Sequence, residues 1–202
     1  MKKTVNKIKK ILKKSIMLND EASIIVSGGR SPINLLHSLD NVDLEWHKVK
    51  IMLLDERLVH EDNKCSNEKT LKDNFFQNFS KNANYLSIRD LEFNNNFDLA
   101  ILGFGFDGHF ASIFPCHLEE KRFIDTRSKP EILKTKAIGD PYIERLTINL
   151  SAFSKVKHIF MICNSYQKSE ILNDAKHNSA LPIYHLLKLD YPNIEIIKDF
   201  KN

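Results

Sequence analysis

An unbroken apolar run, Leu99-Ala100-Ile101-Leu102, leads directly into Gly103-Phe104-Gly105-Phe106-Asp107-Gly108-His109. A short continuous apolar run bounded by glycines reads as a strand buried on both faces, the kind found in parallel sheets covered by helices. The following turn uses three glycines to deliver an aspartate and a histidine almost side by side. Such a turn is a poor way to build a core. It is a good way to place acid–base chemistry at a sheet edge, where the backbone can approach a ligand closely.

The rest of the chain alternates in a way that agrees with this. Val5, Ile8, Leu12 and Ile16 recur at helical spacing among lysines, which predicts an amphipathic surface helix with a solvated basic face. Ser23 to Val26 reads as a strand, followed by a polar turn and a helix through Leu39. Val49 to Leu54 is a second strand, preceded by Trp46 and ending in Asp55-Glu56-Arg57. A polar loop (Val59 to Cys65) leads to a helix expected from Asn67 to Phe79, with Ser66 as its N-cap. Further strands are expected at Phe97 to Leu102, His158 to Cys163 and Ile194 to Ile197, with a helix from Tyr166 to Lys176. The polar stretch from Glu119 to Arg145, broken by Pro130 and Pro141, reads as a long excursion near the site. Strands alternating with helices predict an α/β fold: a mainly parallel central sheet flanked by helices in three layers. At 202 residues, one domain is expected.

Several function classes are disfavoured at this level. No apolar run approaches the length of a membrane span, the longest being strand-sized around Ile51 to Leu54. Basic residues recur from position 2 to position 14 with no apolar stretch behind them, so no leader is expected. The net charge of +4 is spread along the chain instead of being concentrated on one face, which argues against nucleic acid. Cys65, Cys116 and Cys163 are odd in number and far apart; a reducing cytoplasm fits better than a disulfide framework. No metal-knuckle spacing or dense His/Cys/Asp cluster is present, so no metal and no other cofactor is expected.

Three segments carry candidate chemistry. Ser27-Gly28-Gly29-Arg30-Ser31-Pro32 joins a strand to a helix, where glycine N–H groups, hydroxyls and an arginine suit an anion such as phosphate. Pro32 fits the first helical turn, where its missing N–H has no intrahelical partner. Asp55-Glu56-Arg57 sits at the carboxyl end of the second strand, the edge at which open parallel sheets bind ligands. Gly103-x-Gly105-x-x-Gly108 formally matches a dinucleotide fingerprint, but Pro115 leaves no room for the long helix that the fingerprint requires. His109 therefore reads as a general base, since its unperturbed pKa lies near neutrality.

Four segments in order resemble the 6-phosphogluconolactonase family, within the larger group of sugar-phosphate isomerase and CoA-transferase-like folds. They are Ser27 to Pro32, Trp46 through Asp55-Glu56-Arg57 to Ser66-Asn67, Gly103 to Pro115, and Arg145-Leu146-Thr147-Ile148-Asn149-Leu150-Ser151. The run of glycines, Asp107-Gly108-His109, Ala111-Ser112 and Phe114-Pro115 is the most specific of them. The resemblance implies hydrolysis of a phosphosugar lactone, with His109 activating water and Asp55 and Arg57 shaping the site. It further implies substrate or phosphate contacts from Ser27, Gly28, Gly29, Arg30, Ser31, Gly105, Asp107, Gly108, Arg145 and Lys168, in a monomer or small homo-oligomer. The chain departs from the family pattern at Arg30-Ser31, Phe110, Cys116 and Ser165, and it is shorter than typical members. A deaminase of the same fold continues past the histidine with a carboxylate, and here Ala111-Ser112-Ile113 follows instead. A sugar-phosphate sensor would carry a DNA-binding module, for which the roughly twenty residues before the first strand are too few.

Overall fold

The computed structural model describes residues 1–94 and 96–200. In chain order the elements are α1 (Lys2–Asn19), β1 (Ala22–Val26), α2 (Ile33–Asp40), β2 (Val49–Leu53), β3 (Asp55–Arg57), α3 (Asn67–Asn74), β4 (Asn84–Leu86), β5 (Phe97–Leu102), α4 (Lys121–Ile124), β6 (Ile132–Ile138), β7 (Ile143–Ile148), β8 (Val156–Cys163), α5 (Tyr166–Asp174), α6 (Pro182–Leu187) and β9 (Asn193–Lys198). Six strands form one sheet in the order β4-β2-β1-β5-β8-β9, with every neighbouring pair parallel. A second, antiparallel sheet of three strands runs β3-β7-β6. The fold is the expected α/β sandwich of a parallel sheet between helical layers.

Alternation along the central strands divides the core in two. Ile24, Val26, Leu99 and Ile101 face one side, with Ile8, Leu12 and Ile16 of α1, Leu35 and Leu39 of α2, and Trp46. Ile25, Ala100 and Leu102 face the other, with Phe104, Phe110, Phe153, Ile183 and Leu186. Every residue of β5 is buried, which is why Leu99 to Leu102 reads as a continuous apolar run, and its one charge, Asp98, is paired with Lys157. Ser66 caps α3 as predicted, its side chain accepting the Lys69 N–H. No helix of the described residues is long and apolar enough to cross a membrane.

Differences from the expected elements have local causes. Helix α3 stops at Asn74 instead of Phe79 because Asp40 captures the following chain. The Asp40 carboxylate accepts the Asn78 N–H at 3.0 Å and the Ser80 hydroxyl at 2.6 Å, pulling the backbone out of helical geometry. Phe75 then turns fully inward to meet Trp46 edge-on, with ring centroids 5.5 Å apart. Pro32 sits one residue ahead of α2, its carbonyl accepting the Leu36 N–H. The Glu119–Arg145 stretch is only partly an irregular excursion: it contains α4 and β6 and leads through a turn into β7. In β6, Leu133 and Thr135 point inward while Lys134 and Lys136 point out, a period-two pattern hidden by the high polarity. Strand β4 was also not anticipated, being three residues with little apolar content.

Trp46 is 2 % exposed and its indole N–H donates to the Val42 carbonyl. Trp46→Ala is expected to lower the unfolding free energy by about 3–5 kcal/mol, read as a lower urea midpoint at unchanged slope. A midpoint equal to the parent's would refute this packing assignment.

Candidate active site

The carboxyl ends of β1, β2 and β5 converge on one cleft, and β7 of the antiparallel sheet supplies its far wall. Ser27, Gly29, Ser31, Asp55, Arg57, Asn67, Gly103, His109, Ala111 and Arg145 line it. Parallel strands place all their carboxyl ends on one edge, and the loops leaving that edge carry the polar groups.

His109 is held by its own loop. Its Nδ1 lies 2.6 Å from Asp107 Oδ1, and the same oxygen accepts the His109 backbone N–H at 3.2 Å. Gly105 closes the loop, donating its N–H to the His109 carbonyl at 2.8 Å. A Cβ at position 105 would stand 2.2 Å from both Cε1 and Nδ1 of the imidazole, so only glycine admits the ring there. An ionised carboxylate can only accept, so in the neutral imidazole Nδ1 carries the proton and Nε2 the lone pair. Among the described residues Nε2 has no protein partner. Burial alone would raise the Asp107 carboxyl, but the hydrogen bond and charge of the His109 ring outweigh it and hold the carboxyl below the ordinary range.

Asp55 is 6 % exposed and fixed from two sides. Ser112 Oγ donates to its Oδ2 at 2.6 Å, and Asn67 Nδ2 donates to its Oδ1 at 3.2 Å and to its carbonyl at 2.9 Å. Its neighbour Glu56 turns away from the cleft into the N-terminus of α3, accepting the N–H groups of Asn67 and Glu68, both at 2.7 Å, and the Ser66 hydroxyl. Arg57 donates to the Cys65 carbonyl at 2.7 Å, while its buried Nε meets no partner among the described residues. Arg145 is 3 % exposed and donates to the carbonyls of Ile138 and Pro141 across the hairpin turn. Burial, with Arg57 nearby, depresses the pKa of this guanidinium.

The Ser27–Ser31 loop lies at the cleft's other end. Among the described residues, the backbone N–H groups of Gly28, Gly29, Arg30 and Ser31 have no protein acceptor. Lys168, from α5, is 8 % exposed and donates to Ser31 Oγ at 2.8 Å, with its ammonium 5.1 Å from the Phe104 ring centroid. Burial pushes the pKa of this lysine down. Ser165 caps α5 by accepting the Lys168 N–H, so the departure from glycine at 165 anchors the turn that presents the lysine.

A family model described as glucosamine-6-phosphate isomerases/6-phosphogluconolactonase matches residues 1–190. The chain belongs to that family. A 6-phosphogluconolactonase from Helicobacter pylori strain J99 is 33 % identical over 203 residues, covering 92 % of this chain and 87 % of the relative. One from Thermotoga maritima is 27 % identical, covering 89 % of this chain and 86 % of the relative. Among solved structures, a 6-phosphogluconolactonase from Shewanella baltica superposes with a TM-score of 0.86 at 25 % identity, covering 98 % of this chain and 91 % of that one.

The family residues singled out by sequence therefore fall into three groups. Ser27, Gly29, Ser31, Asp55, Arg57, His109 and Arg145 line the cleft together. Gly105 and Asp107 serve His109 instead of facing the cleft, and the Gly108 carbonyl is occupied by the Ile183 N–H of α6. Gly28 backs onto Asn67, Lys168 lies behind Ser31, and Arg30 is exposed outside the lining. Sequence reading missed Asn67, Ser112 and Thr147 as supports for the cleft. Ser112 N–H donates to Thr147 Oγ1 at 3.0 Å, and both residues are fully buried. For Ser112 and Thr147 the available signal was a small polar residue inside an apolar stretch; Asn67, in a polar stretch, offered none.

The Asp107–His109 contact makes a pH-dependent statement. A depressed carboxyl keeps the pair intact above the ordinary aspartate range and loses it only as pH falls through the lowered value. In a carbon-13 NMR titration, Asp107 is expected to titrate below ordinary aspartate in the parent. In His109→Ala, where burial remains and the ring is gone, it should titrate higher. Equal values in the two proteins would contradict the coupling.

Proposed function

We propose that this chain hydrolyses 6-phospho-D-glucono-1,5-lactone to 6-phosphogluconate, with His109 as the general base. The observation that carries the reading is His109 itself: the residue lines the cleft, its Nδ1 is committed to Asp107, and its Nε2 has no partner among the described residues. A lactone carbonyl is already electrophilic, so one oriented base, a positioned water and stabilisation of the oxyanion suffice.

His109 Nε2 takes a proton from water as the water oxygen bonds to the lactone carbonyl carbon. Asp107 stabilises the imidazolium so formed. The tetrahedral oxyanion is stabilised by the Arg57 guanidinium, which lines the same cleft. Collapse breaks the bond between the carbonyl carbon and the ring oxygen, and the imidazolium returns its proton to that oxygen as it leaves. Asp55, locked by Ser112 and Asn67, presents a fixed acceptor for sugar hydroxyls. The phosphate sits on the Gly28–Ser31 amides with Lys168 and Ser31 beside it, and Arg145 adds positive charge from the opposite wall. The deaminase reading is not favoured, because no carboxylate follows His109 within the turn. This reading assigns the protein to the cytoplasm, with which its three free cysteines agree.

The lactone can be generated in situ from glucose 6-phosphate by its dehydrogenase and its loss followed against the spontaneous rate. The parent protein is expected to accelerate that loss, and His109→Ala to lower kcat by about 10²–10⁴-fold. No acceleration by the parent, or ammonia release from glucosamine 6-phosphate, would refute the assignment. Lys168→Met is expected to raise KM by ~10-fold or more, the equivalent of one charge-assisted hydrogen bond of roughly 1.5–3 kcal/mol. Its thermal midpoint should not fall, since a buried unpaired charge is removed. An unchanged KM would remove Lys168 from phosphate binding.

A further inference from the structure

We propose that Phe114 is a positioning residue for the base: its ring sets the plane of the His109 imidazole and couples it to the Arg145 hairpin. This rests on the reading of His109 as the base and adds a residue that has no role of its own in that reading.

The hydrogen bond from Nδ1 to Asp107 fixes one edge of the imidazole but leaves its plane under-determined, because the terminal torsion of histidine is broad. The Phe114 ring supplies the missing constraint. It stacks on His109 with centroids 4.3 Å apart and planes inclined by 23°. The same ring lies under Arg145, whose Cζ is 5.4 Å from its centroid. The hairpin backbone closes on its tip: a Cβ at Gly139 would stand 2.7 Å from Phe114 Cζ and 2.9 Å from Arg145 Nη2.

Phe114 is itself immobilised. Its N–H donates to Nδ1 of His117 at 3.1 Å, and His117 is buried in a flat stack on Phe123, with centroids 4.2 Å apart and planes 5° from parallel. Burial lowers the His117 pKa, which keeps its Nδ1 available as an acceptor. Between His109 and Phe114 the chain reverses through Ala111, at a left-handed φ of 48°. Ser112 pins that reversal to Thr147 and Asp55. The segment therefore behaves as a clamp that returns an aromatic face onto the base five residues earlier.

A residue that acts through His109 must lose its effect when His109 is absent. The test measures kcat and KM for lactone hydrolysis in the parent, Phe114→Leu, His109→Ala and the double variant, each checked for folding by circular dichroism. Phe114→Leu is expected to lower kcat about 10- to 100-fold, in the range set by small misplacements of a reacting group, with KM nearly unchanged. In the His109→Ala background the same substitution is expected to have no further effect. A parent-like kcat in Phe114→Leu, or an equal loss in both backgrounds, would overturn the proposal and leave Phe114 a core residue. A fully active His109→Ala would instead overturn the base assignment beneath it. Should Phe114→Leu not fold, Phe114→Met and the parent's own NMR spectrum decide. Stacking requires ring-current upfield shifts of the His109 ring protons, and unshifted protons would overturn the proposal.

Discussion

The site depends on one close approach, that of the His109 imidazole to the backbone of Gly105. With the ring 2.2 Å from where a Cβ would stand, the loop from Gly105 to His109 can close on itself through one short backbone hydrogen bond. Closure puts the Asp107 carboxylate against Nδ1 of a ring that lines the cleft. The glycine run thus acts less as a ligand-binding loop than as a mould for the base. Its conformation is supported from outside by α6, which donates the Ile183 N–H to the Gly108 carbonyl.

Around that base the structure collects cations that lack carboxylate partners among the described residues. Lys168 is buried against a hydroxyl and an aromatic ring, and Arg145 against two backbone carbonyls. Burial depresses both pKa values. For Lys168 the folded chain then binds fewer protons than the unfolded chain between the lowered value and the ordinary one. Stability therefore rises with pH across that window, and the charged lysine is a net cost below it. An arriving phosphate offsets that cost at the proposed binding step, so destabilisation of the free protein becomes ligand affinity.

Most of the central sheet was legible because the carboxyl-terminal parts of β1, β2, β5 and β8 are buried on both faces and are continuously apolar. Ser66 was legible as a cap because its hydroxyl precedes a polar helical stretch. The antiparallel sheet was not, since β3 is the charged tripeptide Asp55-Glu56-Arg57 and β6 alternates with lysines. Its strands are held by pairing between segments far apart in the chain, β3 with β7, which local sequence does not report. The site divided along the same line. Residues on loops at the strand ends were identifiable from their chemistry, whereas the division of labour within them was not. That Glu56 would turn to cap α3 while Asp55 stayed in the cleft follows from tertiary placement alone. So does the service of Asp107 to His109.

The dependence of the base on Gly105 is measured by the kcat/KM of Gly105→Ala for 6-phosphogluconolactone hydrolysis. One methyl group at this position collides with the imidazole and leaves every proposed substrate contact in place. A fall of about 100-fold or more is expected, with far-ultraviolet circular dichroism and melting close to the parent's. A folded Gly105→Ala protein that turns over the lactone at the parent's rate would contradict it.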